Sequence, residues 1–277
     1  THLDASARNV TDLTGLEYAT SLTTLDLANN QISDISPLAN LTSLTTVDLW
    51  FNQIVDISPL ANLTSLTTLN LVNNQIIDIS PLAGLTNLTG LWLLDNQISD
   101  ISALAGLTDL IGLGLNRNQI SDISALAGLT NLTLGLWLSH NQISDVSALA
   151  NLTSLAILEL ADNEISDISP LADLTSLTEL YLGSNQISDI SPLASLSSLA
   201  ILELGDNGVS HISPLADLTS LTELYLWDNQ ISDISPLVQN AGLGAGDTVD
   251  LKSNPLSSDS ITIYIPQLQE RGVTVDY

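Results

Sequence analysis

The chain has no cysteine, no methionine and a single phenylalanine, and its four Lys+Arg stand against 31 Asp+Glu in 277 residues. Without cysteine there is no disulfide framework, thiol nucleophile or thiolate metal site. A net charge of −27 argues against a nucleic-acid binder, which needs a basic stripe to displace counterions from phosphates. It argues equally against docking on an anionic membrane. His2, His140, His211 and Lys252 are the only histidines and lysine, so the usual general bases are scarce. No apolar run reaches the ~18 residues of a membrane span, and no membrane insertion is expected. The chain opens on Thr1 with no methionine anywhere, as expected of a processed or excised piece. Apolar residues make up 44% and aromatics only 4%, so the core must be built almost entirely from Leu and Ile.

What the chain has in abundance is repetition. The pattern L-x-x-L-x-L-x-x-N-x-I starts at Leu22 and recurs from Leu44, Leu66, Leu88, Leu110, Leu132, Leu155, Leu177, Leu199 and Leu221. Every offset is 22 residues except the 23 between Leu132 and Leu155. Residues 1–21 carry a partial copy without a cap, residues 22–242 ten full copies, and residues 243–277 a stretched final copy and a C-terminal cap. Alternating leucines, such as Leu25 and Leu27, signal a strand with Thr24 and Asp26 facing outward. One strand cannot bury its leucines alone, so successive copies must stack into a parallel sheet. The asparagine at Asn30 and its equivalents is expected to form a buried ladder serving backbone groups of adjacent coils. The return side reads Ile32, Ile35, Leu38, Leu41, Leu44, and a spacing of three suits 3₁₀ turns. Ser36-Pro37 is expected to start the turn, with serine as its cap. Asp34 and its copies form a second ladder, read as turn caps or as weak cation ligands, which His211 interrupts. The partial first copy leaves an outer sheet edge for a removed cap or another chain to cover. Ser257 to Gly272 reads as a capping helix interrupted at Pro266, with Val273-Thr274-Val275 as a last strand.

The recurring N-Q-I-S-D-I-S-P-L-A-x-L-T-S-L resembles the 22-residue bacterial leucine-rich repeats of internalin-like surface proteins, over the whole chain. The resemblance implies an α/β-type repeat solenoid with one parallel sheet on the concave face, 3₁₀ turns on the convex face and a short helical cap. It also implies protein recognition and adhesion outside the cell or at its surface.

Because the core positions are monotonous, specific information must sit at the outward strand positions and the turn after them. All four tryptophans, the one phenylalanine and two of the five tyrosines fall there, at Trp50, Phe51, Trp92, Trp137, Trp227, Tyr181 and Tyr225. Exposed aromatics gathered on one face are anchors for a partner; the plainer reading is that each covers a small neighbour and stabilises the sheet. Trp92 and Trp137 share one site two copies apart, with Gly114 between them and Gly90, Gly112 and Gly135 alongside. Indoles roughly 10 Å apart over such a floor leave a slot for a flat side chain or a sugar ring, unless they fold onto the glycines. Asp95, Asn116, Arg117 and His140 rim the slot, and the extra residue of the 23-residue copy is expected to form a bulge that re-aims Trp137. Later copies form a checkerboard in which Glu159, Glu179, Glu203 and Glu223 alternate with Ile157, Tyr181, Ile201 and Tyr225. It suits a basic protein partner, although duplication of a two-copy unit also explains it.

No triad, carboxylate dyad in a dry cleft or dense oxygen loop is apparent, so no enzyme activity, cofactor or metal site is expected. The expected function is non-enzymatic recognition of a protein through the outward face, with basic proteins among the candidate partners. Two alternatives stay open: carbohydrate binding at the Trp92/Trp137 slot, and end-to-end self-association as a structural surface protein.

Overall fold

The computed structural model describes residues 1–277, which divide into two compact units, Thr1–Asn141 and Gln142–Tyr277. In the first unit seven three-residue strands pair in parallel in chain order: β1 (His2–Asp4), β2 (Thr24–Asp26), β3 (Thr46–Asp48), β4 (Thr68–Asn70), β5 (Gly90–Trp92), β6 (Gly112–Gly114) and β7 (Gly135–Trp137). The second unit continues the plan with β8 (Ile157–Glu159), β9 (Glu179–Tyr181), β10 (Ile201–Glu203), β11 (Glu223–Tyr225), β12 (Thr248–Asp250) and β13 (Thr274–Asp276). Register advances by whole copies, so Leu25 pairs with Val47 and Val47 with Leu69. A repeat that places leucine at the same point of each turn leaves no other register in which every leucine is covered.

The core is aliphatic throughout. Each strand's central residue, the leucine after the strand and the inward residues of the return side are buried, as in Leu69, Leu71, Ile76, Ile79, Leu82, Leu85 and Leu88. Spacing of three does produce 3₁₀ turns, such as Ser36–Leu38 and Ser58–Leu60. The Leu38 amide donates to the Ile35 carbonyl, that of Leu41 to Leu38 and that of Leu44 to Leu41, at 2.9, 2.9 and 3.0 Å. Those i→i−3 bonds keep each inward side chain directly after the last.

Of the two residues expected to cap the turn, aspartate does so and serine does not. Serine is the first residue inside the turn and makes no capping bond; the residue before it is Ile35 or its equivalent. Asp34 instead accepts the Ser36 backbone N–H at 2.8 Å, and Asp56, Asp78, Asp100, Asp122, Asp145, Asp167, Asp189 and Asp233 repeat that bond to the serine two residues on. An aspartate side chain reaches its own backbone two residues ahead, which serine inside the turn cannot do for the same N–H. Bonds from the following serine, backbone first, hold the Asp56, Asp100 and Asp167 carboxyls below the usual aspartate range.

The asparagine ladder forms as the pattern predicts. Asn74 donates its amide to the Leu49 carbonyl of the preceding coil (3.0 Å) and to Leu71 and Val72 of its own (3.1 and 3.3 Å). Its Oδ1 accepts the Ile54 N–H at 3.0 Å. At the C-terminal end the Ser257 hydroxyl accepts the Ser260 N–H, and a π-helical turn over Ser260–Tyr264 leads into α1 (Ile265–Glu270). The widened turn lies just before Pro266, whose ring crowds the carbonyl four residues earlier and offers no N–H. Ile265 and Leu268 of α1 are buried, and Gly272 ends the helix at φ 89°. Arg271 then ties the cap down by donating to the carbonyls of Val238, Asn240 and Leu243.

Replacing Asn74 by Ala strands the Ile54 N–H in the interior, whereas the Leu49 and Leu71 carbonyls keep the amides of Asn52 and Asn96. One orphaned group at ~1–3 kcal/mol gives an expected loss of about 2 kcal/mol by urea denaturation, whereas a loss under about 0.5 kcal/mol would show that the ladder contributes little.

Candidate recognition face

In the first unit the outward side of the sheet presents two aromatic groups. Trp50 and Phe51 follow β3; both are about half exposed, at 44% and 48%, with ring centroids 6.1 Å apart and planes tilted by 58°. Phe51 has φ 54°, in the left-handed region. The same corner of other coils holds Asn29, Asn73, Asp95, Arg117 and His140, all with φ between 53° and 57°. Asn and Asp adopt this conformation readily, whereas a bulky side chain there costs about 1 kcal/mol or more.

The second group is the Trp92–Trp137 pair, and here the slot expected from the sequence is closed. The ring centroids lie 5.2 Å apart with planes at 59°, too close to admit a sugar ring or another side chain. The glycines are what close it: a Cβ on Gly114 would lie 2.8 Å from Trp92 Cε3, and one on Gly135 would lie 2.7 Å from Trp137 Cζ2. With hydrogens as their only side chains, these positions let the indoles fold down onto the sheet, and edge-tilted contact between the rings adds to that preference. The expected bulge does not fall within the strand. β7 keeps its register, with Gly114 opposite Trp137. The extra residue is absorbed before the strand, where the amides of Thr133 and Leu134 both donate to the Ile111 carbonyl (3.2 and 2.9 Å). Leu134, in the column just before the strand, stands out at 50% exposure beside Ile111 of the preceding coil at 45%. A recess of about 190 Å³ lies between them and Trp92, floored by Gly90 and Gly112 and closed by Thr68 and Thr89. At the turn beyond Gly114, Arg117 Nε lies 3.9 Å from Asp95 Oδ1, a solvent-exposed pair, and Asn116 Oδ1 accepts the Ser139 N–H at 2.7 Å.

In the second unit the checkerboard takes the expected register, Glu159 opposite Tyr181 and Glu203 opposite both Tyr181 and Tyr225. Its side chains largely bond one another. Tyr181 donates its hydroxyl to Glu179 at 2.9 Å and Tyr225 to Glu223 at 2.8 Å. Burial first, then the bond to Glu179, raises the Tyr181 phenol, and the bond to Glu223 does most of the same for Tyr225. Glu203 turns toward the sheet, where its carboxylate accepts the Gly183 and Gly205 N–H groups at 2.7 and 2.9 Å. Burial pushes its pKa up against those two bonds. Trp227 lies over Gly205, where any Cβ would overlap the indole. No group of three or more His, Asp or Glu side chains converges in the geometry of a metal site.

The left-handed corner and the exposed Ile111 and Leu134 were not foreseen from the residue pattern. Both had signals: Asn or Asp predominates at the corner, and Thr at the positions before the strands gives way to a large aliphatic residue only there, Ala156 and Ala200 being the small exceptions. Replacing Gly114 by Ala is expected to lift Trp92 and abolish the exciton couplet of the tryptophan pair in circular dichroism; an unchanged couplet would refute the seating described.

Family models for leucine-rich repeats in two copies match residues 20–62, 64–106, 108–151, 134–173 and 153–195, and a further leucine-rich repeat model matches 175–231. The fold is similar to that of an internalin (inlF) from Listeria monocytogenes, at 37% identity over 100% of this chain and 86% of that one, with a TM-score of 0.84. Internalin C2 of the same organism is 46% identical over 66% of this chain and 80% of its own, with a TM-score of 0.64. A leucine-rich repeat protein of Leptospira interrogans, 24% identical over 95% of this chain and 74% of its own, shares the fold with a TM-score of 0.82. A search of curated proteins gives no significant match. No helix is long and apolar enough to cross a membrane. Leucine-rich repeat proteins of the internalin kind typically act as non-enzymatic scaffolds for protein–protein interaction. Ten copies with the asparagine ladder, the 3₁₀ returns and the agreement with the Listeria folds place the chain in the leucine-rich repeat family, as a bacterial member of the internalin-like class.

Proposed function

We propose that the chain is a non-enzymatic recognition module, secreted or displayed at the bacterial surface, that binds a protein partner through aromatic and acidic residues of its outward sheet face. The observation that carries the reading is the Trp50–Phe51 pair. Both rings stand half in water, and Phe51 occupies a backbone conformation that disfavours it. Large rings kept at such a site are accounted for by what they touch in a complex, since strain at a corner is retained where a binding surface needs it. The Trp92–Trp137 pair, with Ile111 and Leu134 beside it, supplies a second apolar contact area in the same unit. Asp95, Gly114, Arg117 and His140 border that area as polar or close-approach positions. In the second unit Glu159, Glu179, Glu203 and Glu223, with Tyr181, Tyr225 and Trp227, make an acidic and aromatic surface suited to a basic partner. The net charge of −27 speeds encounter with such a partner at low salt. Carbohydrate binding loses the slot on which it depended.

Loss of the Trp50 and Phe51 rings together is expected to cost about 2 kcal/mol, roughly thirtyfold in affinity. The test immobilises the intact chain, identifies proteins retained from host or neighbouring-cell extracts, and measures affinity of the retained protein for the wild type and the Trp50→Ala/Phe51→Ala variant. Equal affinity for a variant with an unchanged far-ultraviolet spectrum would overturn the assignment of this pair.

A further inference from the structure

A cavity lies away from the outward sheet face, on the turn side of the first unit. It measures about 420 Å³, within the range of ligand pockets, and is lined by Ser99, Asp100, Ser102, Ala105, Asp122 and Ala125. A second cavity of about 200 Å³ shares Ser99, Asp100 and Ser102 with it and extends to Ile77, Asp78 and Ala103. Together they form one furrow crossing three successive coils.

Two departures of the chain from its own repeat create the furrow. Position 37 and its copies 59 and 81 are proline, but Ala103 and Ala125 replace it in the next two coils, removing the rings that would fill the space. Position 33 and its copies are serine in eight of the ten coils, and the two exceptions are the adjacent Val55 and Ile77. Ile77 is 56% exposed at one end of the furrow, and Val55 is 52% exposed one coil further on. Neither change is demanded by the core, because both columns lie outside it. Ile77, Ile101, Ala103, Ala105 and Ala125 give the furrow apolar patches between its serines, while Asp78, Asp100 and Asp122 line the rim one coil apart, about 4.8 Å per step. Each of these carboxylates uses Oδ1 for the serine N–H of its own turn, which fixes its position. The bonds from Ser102 keep Asp100 ionised well below neutral pH. No lysine or arginine lines either cavity, so the rim's negative charge has no internal counterpart.

We infer that this furrow is a second binding surface, which takes an extended basic segment of a partner protein, with aliphatic side chains over Ala103 and Ala125 and Lys or Arg side chains against Asp78, Asp100 and Asp122. A furrow running across coils fits an elongated ligand, and in an extended chain alternate side chains point to opposite sides, which matches apolar patches beside a charged rim. The surface is separate from the Trp50–Phe51 pair, so loss of either leaves the other to be measured.

The probe is a fluorescent, acetylated Lys-Val-Lys-Val-Lys peptide titrated onto the intact chain by anisotropy. Ala103→Pro with Ala125→Pro restores the rings that Pro81 and Pro170 already carry in the same turn, and binding is expected to weaken about tenfold or more. Asp100→Asn keeps an acceptor for the Ser102 N–H while removing the charge, and Ile77→Ser restores the usual residue; each is expected to weaken binding about threefold. Asp167→Asn with Asp189→Asn, in coils that keep their prolines, is expected to leave affinity unchanged. If the double proline variant does not fold, Asp100→Asn and Ile77→Ser decide alone. The inference fails if the peptide does not bind, if these variants bind it as the wild type does, if the Asp167/Asp189 variant weakens binding as much as Asp100→Asn, or if spermine displaces the peptide at equal concentration.

Discussion

One buried carboxamide per coil joins each turn to the one before it. At Asn52, Asn74, Asn96 and Asn118 the same side chain donates to the strand-end carbonyl of the preceding coil and accepts an amide from its return side. Backbone groups at such a corner are buried and have no partner in either the strand or the 3₁₀ turn, so an unsatisfied corner would oppose stacking at every copy. Only a side chain with a donor and an acceptor side by side serves both needs. That requirement explains why asparagine is the most regular polar residue of the repeat. It also sets the coil-to-coil register that lets Leu and Ile fill the interior without an aromatic residue.

With stacking provided by the asparagines and the aliphatic core, the outward strand positions are relieved of structural duty and vary from coil to coil. Some still serve locally. Asp26 and Asp48 accept the N–H two residues on, capping the corner, and Glu203 holds two glycine amides. Others carry bulk that the sheet does not need. Trp92 and Trp137 are a mixed case, because the glycines beneath them make the rings part of the sheet's surface rather than free-standing anchors. Trp50 and Phe51 have no such floor, and they remain the clearest sign of an external contact.

The fold was legible because it repeats: ten copies average out local ambiguity, and the inward residues, the asparagine ladder and the final strand all read directly from spacing. What spacing does not encode is the direction of a side chain. Trp92 and Trp137 share a column two copies apart, which places their backbones about 10 Å from one another by strand spacing but leaves their χ angles free. The bare glycines that suggested an open slot are what allow the rings to close it. The inserted residue before β7 likewise falls outside the strand, because pairing with β6 held register and pushed the surplus into the preceding turn. Serine and aspartate were both read as caps and only aspartate caps, since both types favour helix starts and only the backbone geometry separates the first residue of the turn from the acceptor before it.

Hydrogen exchange of individual amides tests most directly whether the buried asparagines hold the coils together. The N–H groups of Ile54, Ile76 and Ile98 have Asn Oδ1 as their acceptor, and lie in irregular segments after the corner rather than in strands. They are expected to exchange as slowly as the strand amides of Leu69 and Leu91, opening only with the coil as a unit. Exchange of these isoleucines at the rate of solvent-exposed loop amides, with the strands still protected, would contradict the central role given to the asparagines.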